Sequence, residues 1–180
     1  MIKKLIIVVL ILITTQVANA QMVAVKSDIL KWGAMVPNLG LELVVGNKTT
    51  LGVDLFGTNN VWWTDHVELI AISPNYKFWF SGRPLTRQFV GLSAQLANYT
   101  IHYGKERYQG NSAAVGVIGG HIFNLSSRWN LELSGGLSIL AYEHKQYIEG
   151  DNYELYGERS NSWGTMLFPR LEVSLSYIIN

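Results

Sequence analysis

Eight charged side chains, Lys26, Asp28, Glu42, Asp54, Lys77, Glu132, Arg170 and Glu172, lie inside otherwise apolar stretches, most of them flanked directly by apolar residues. Isolated charges of both signs in such surroundings are set to pair, because an unpartnered charge in a confined, low-dielectric space is costly. The chemistry they offer first is a salt-bridge network that fills an interior. A proton or ion path is the alternative. Other catalytic signals are weak. His66, His102, His121 and His144 lack the close spacing of a metal site, and none is followed two residues later by serine, the arrangement a deacylase-type serine and histidine pair would need. The chain has no cysteine, so neither a disulfide nor a thiolate-bound metal is available. No glycine-rich phosphate loop occurs. No catalytic, metal or cofactor-binding residue is assigned, and no cofactor is called for.

The elements that position these charges have a period of two. In Trp129–Ile139, residues Trp129, Leu131, Leu133, Leu137 and Ile139 share one face, and Asn130, Glu132, Ser134, Gly136 and Ser138 the other. Leu171–Ile179 repeats this with Glu172, Ser174 and Ser176 on the polar side; Leu39–Val45 and Leu51–Leu55 do so around Glu42 and Asp54. A helical period would scatter these residues. Turn formers divide the chain into about eight strands, at roughly 22–33, 38–46, 49–57, 67–80, 88–102, 111–123, 129–142 and 163–179. Apart from a tight first link at Pro37-Asn38, short connections alternate with long ones, the latter at Thr58–His66, Tyr103–Gly110 and Glu143–Ser162.

The polar face is rich in serine and glycine, whereas a face turned to water would carry many lysines and glutamates. It therefore suits the cramped interior of an eight-stranded barrel, with the apolar face outside. Phe78, Phe80, Trp129 and Tyr177 fall toward the short-turn side of that apolar face, as an interfacial aromatic girdle would. The fold expected is all-β: an eight-stranded antiparallel up-and-down transmembrane β-barrel with a closed polar lumen. Water-filled porins use about 16–18 strands, so a general diffusion pore is not expected.

Residues 1–20 read as a cleaved export signal, with Lys3 and Lys4, an apolar core from Leu5 to Ile13, and a cleavage site at Ala18-Asn19-Ala20. The barrel domain is then 21–180, beginning at Gln21. Its 12 basic and 13 acidic side chains, after Lys3 and Lys4 are removed, nearly cancel and give no support to nucleic-acid binding, which usually shows a basic patch or stripe. Charged residues make up 15% of the chain, below the roughly 25% usual for soluble domains. Glu143–Ser162 is acidic and carries Tyr147, Tyr153 and Tyr156, a candidate external interaction loop for an extracellular or envelope protein partner. The short connections carry only bases, Lys48, Arg83, Arg87 and Arg128.

Val23–Leu30, Pro37–Glu42, Pro74–Phe80 and Arg128–Glu132 resemble a family of uncharacterised Gram-negative envelope proteins known as a domain of unknown function. In form that family is similar to the small OmpX and OmpW outer-membrane barrels. The resemblance implies a Gram-negative outer-membrane location, contact with outer-membrane lipid, and insertion by the barrel-assembly machinery. The chain departs from small barrels in ending Tyr177-Ile-Ile-Asn180 rather than on an aromatic residue. The function expected is a non-enzymatic, non-porin envelope structural or surface-interaction role. The alternatives are a soluble lipocalin-like binder of a small apolar ligand and a lipid-modifying outer-membrane enzyme.

Overall fold

Alternating residues satisfy their backbone groups by pairing sideways, and a computed structural model describes the outcome for residues 22–60, 67–103, 106–148 and 161–179. The strands are β1 (Val23–Asp28), β2 (Asn38–Gly46), β3 (Thr49–Thr58), β4 (Val67–Trp79), β5 (Arg87–Tyr103), β6 (Glu106–Asn124), β7 (Trp129–Ile148) and β8 (Asn161–Ile179), with one short helix, α1 (Ile29–Gly33), after β1. Each strand pairs antiparallel with the next and β8 pairs with β1, closing the ring in up-and-down order. No helix among the described residues is long and apolar enough to cross a membrane.

Strand register sets the dimensions. The row of facing residues Ile179, Val23, Leu43, Leu51, Tyr76, Leu92, Val117 and Leu137 returns to β8 at Pro169, 179 − 169 = 10 residues from its start. At about 3.3 Å per residue and about 4.8 Å between strands, this offset tilts the strands by about 40° and leaves about 8 Å from axis to backbone. An interior of that radius is one that side chains can fill. The same row is apolar throughout and lies on the outer face, where Leu92, Val117, Leu137 and their neighbours are exposed.

Three boundaries differ from those the sequence suggests. β1 stops at Asp28 because that side chain accepts a hydrogen bond from the Leu30 backbone N–H at 2.9 Å and caps α1, so 29–33 is helix rather than strand. β5 and β6 run to Tyr103 and Glu106 and take up most of the connection expected at Tyr103–Gly110. β7 continues to Ile148 and β8 starts at Asn161, claiming both ends of the expected Glu143–Ser162 loop. The polar composition of these segments suggests loop, but a continued ladder pairs their backbone groups with one another instead of with water. Because β1 to β3 have only 6 to 10 residues while β5 to β8 have 17 to 20, the wall stands taller on the β5–β8 side.

Candidate functional site

Inward-facing positions build the interior in layers, beginning at the short-turn end. There Ala24, Val44, Trp79, Phe89, Ile118 and Ile122 pack with Leu85, which folds back from the β4–β5 turn. Trp79 is completely buried and its ring lies 4.9 Å from that of Phe89, centroid to centroid. Alternation puts Trp79 inside while Phe78 and Phe80 on either side point outward and meet edge-on at 5.8 Å. The result is an apolar plug across the floor of the barrel.

Lys77 rests on this plug, its Nζ 4.5 Å from the Phe89 ring centroid. It donates to Glu42 Oε2 at 2.9 Å and to both carboxylate oxygens of Glu132 at 2.8 Å. An ammonium has three protons, and these contacts use its donor capacity. Glu42 is further held by the hydroxyl of Thr50, which also accepts from the Trp79 indole N–H at 3.1 Å. Floor and triad are one hydrogen-bonded unit. All three charged residues are at most 2% exposed.

Above them Lys26 Nζ pairs with Asp54 Oδ1 at 3.0 Å, and Asn75 donates to the other oxygen of Asp54 at 3.0 Å. This pair passes over Gly40, where any side chain would collide with both partners. Near the opposite mouth Arg170 reaches Glu172 at 2.7 Å, and Lys31 bridges Glu172 at 3.1 Å and Asp28 at 2.6 Å. All eight charges singled out in the sequence thus face the interior and are ion-paired there. They do not form one network. They fall into the Lys77 triad, the Lys26–Asp54 pair and an Asp28–Lys31–Glu172–Arg170 chain. Lys31 was not among them, since in a strand running to residue 33 it has no special place. Asp28 as a helix cap three residues before a lysine is the signal for it. The plug residues Trp79 and Phe89 are likewise invisible to a search for polar chemistry.

The remaining sequence candidates do not converge. His121 lies beside Phe123 near the short turns, whereas His144 stacks with Tyr142 toward the other end. His66 is outside the described residues. No group of three or more His, Cys, Asp or Glu among the described residues could hold a metal ion. Tyr147 belongs to the backbone of β7, and Tyr153 and Tyr156 lie outside the described residues. On the outer face Trp129 and Tyr177 make an edge-on pair at 5.0 Å, with the Tyr177 hydroxyl accepting from Arg128 at 3.1 Å.

A family model described as a protein of unknown function, DUF3575, matches residues 5–179. The chain belongs to that family. No curated protein and no solved structure matches it. The family carries no assigned activity, so its members' chemistry has to be argued from geometry, and here the geometry is a sealed, charge-paired interior inside an apolar wall.

Proposed function

We propose that this protein is an integral outer-membrane barrel, exported through a signal cleaved before Gln21, with a closed lumen and a non-enzymatic role in envelope structure or surface interaction. One observation carries the reading: the usual polarity of a globular fold is inverted. Lys26, Asp28, Glu42, Asp54, Lys77 and Glu132 are buried inside, while Leu39, Leu55, Ile70, Leu92, Leu96, Val115, Ile139, Leu167 and Leu171 are each more than half exposed on the outside. Soluble monomers rarely expose contiguous apolar surface beyond a few hundred Å². A soluble binder of an apolar ligand would need the opposite arrangement.

Dimensions agree with a bilayer. From Leu131 to Ala141 the outer positions of β7 cover ten residue steps, roughly 33 Å along the strand and about 25 Å along the axis at a 40° tilt, the height of the apolar band of outer-membrane barrels. Where β1 and β2 are short, the exposed Leu30, Trp32 and Met35 in and after α1 continue the apolar surface. Phe78, Phe80, Phe123, Trp129 and Tyr177 gather at the short-turn end, where rings with one wet edge belong at an interface. Lipid is then the partner of the wall, the barrel-assembly machinery its partner during insertion, and the connections opposite the short turns its surface for other molecules. The OmpX-like and OmpW-like form belongs to this proposal.

Fractionation of a Gram-negative host tests it. The mature chain should begin at Gln21, sediment with the outer membrane, and migrate differently on gels before and after boiling. Recovery of the whole protein in the soluble periplasm after gentle lysis would refute the reading.

A further inference from the structure

The outer face changes character abruptly on the tall side of the wall. In the row formed by Ile72, Leu96, Ala113, Ala141 and Thr165 it is still mostly apolar. One step toward the open end, the row Ile70, Asn98, Asn111, Glu143 and Trp163 carries two amides and a carboxylate. The next presents Glu68, Thr100, Gln109 and Lys145. These two rows line a concavity of about 770 Å³, within the size range of ligand pockets. Thr100 points outward yet is only 6% exposed, as the floor of a groove would be.

The groove's chemistry is specific. Asn98 Nδ2 donates to Asn111 Oδ1, and Asn111 Nδ2 donates to Glu143 Oε1 at 3.2 Å, which orients the three side chains and leaves each with further donor or acceptor capacity. Amides and carboxylates set side by side suit hydroxyl groups, which donate and accept at once. Glu68 and Glu143 against one lysine, Lys145, disfavour a phosphate. Trp163, 80% exposed at the end of the row, offers an indole face on which the apolar side of a sugar ring can lie. Directly below, the apolar wall gives acyl chains a surface to run along.

We propose that this groove binds the saccharide headgroup of a membrane glycolipid, with its chains against the apolar wall. The inference rests on the membrane reading above and names the class of molecule that its outer surface recognises.

The test uses the purified full-length barrel in nanodiscs of a zwitterionic lipid, titrated with a neutral diglucosyl diacylglycerol, with the free disaccharide, and with phosphatidylglycerol. The intact neutral glycolipid should bind best, and both other probes at least about tenfold more weakly. Asn98→Leu/Asn111→Leu and Trp163→Leu should each weaken binding of the neutral glycolipid by about tenfold or more, while Trp163→Tyr, which keeps a ring, retains it. These side chains lie outside the ion-paired interior, and the boiling-dependent gel shift confirms folding of each variant. Equal binding by wild type and both leucine variants would overturn the proposal. So would the free disaccharide binding as tightly as the intact glycolipid, which would assign the groove to a soluble saccharide, or phosphatidylglycerol binding equally well. A barrel that inserts yet shows any of these results defeats this inference alone, whereas recovery in the soluble periplasm defeats the membrane reading first.

Discussion

Lys77→Met removes the one cation shared by Glu42 and Glu132 and leaves two carboxylates facing each other at the centre of the barrel. Their nearest oxygens lie 2.8 and 2.9 Å from Nζ, so they can be no more than 5.7 Å apart. At an effective dielectric of about 20, their repulsion at that separation is about 3 kcal/mol. Removing one partner from a buried ion pair costs about 3–5 kcal/mol, which brackets the same figure. The variant should therefore lose about 3–5 kcal/mol of stability, read from the urea midpoint of the barrel refolded into short-chain lipid vesicles. Lys77→Met/Glu42→Gln/Glu132→Gln has no stranded charge and should recover most of that loss, since the penalty comes from the unpaired carboxylates and not from the missing attraction. A loss below about 1 kcal/mol for the single variant, or a triple variant less stable than the single one, would refute the argument.

Side-chain facing is tested with spin labels: at Leu133, 40% exposed, a label should be reached by a lipid-soluble quencher, and at the neighbouring Ser134, 7% exposed, it should not. The opposite pattern would reverse inside and outside. In planar bilayers the wild-type barrel should give no steady conductance, because the plug and the paired charges fill the bore. Trp79→Ala/Phe89→Ala should admit small-ion current and, at about 3–5 kcal/mol for each large aromatic removed, lower stability sharply; large open channels in the wild type would sink the sealed-floor account.

Much of this architecture is a local property of the chain. The alternation in Trp129–Ile139 dictates that Leu131 and Glu132 take opposite faces whatever the strand pairs with, because successive side chains of an extended backbone point opposite ways. Gly46-Asn47-Lys48 marks a tight turn for a similarly local reason. That Glu42, Lys77 and Glu132 belong to polar faces was therefore legible residue by residue. Which charges meet was not. Lys26 pairs with Asp54 rather than with Asp28, two residues away on its own face, and Lys77 reaches Glu132 55 residues along the chain. Those choices follow from the ten-residue offset accumulated around the ring, which sets how far each strand slides past the next and so which inward side chains share a level. Asp28 was further diverted to capping α1, and this brought in Lys31. The tall β5–β8 wall with its polar groove was hidden as well, because its segments have the composition of loops and become strands only when a neighbour lies alongside to pair with their backbone. A strand's two faces are written in its own residues, but its partners are decided by the circumference of the whole barrel.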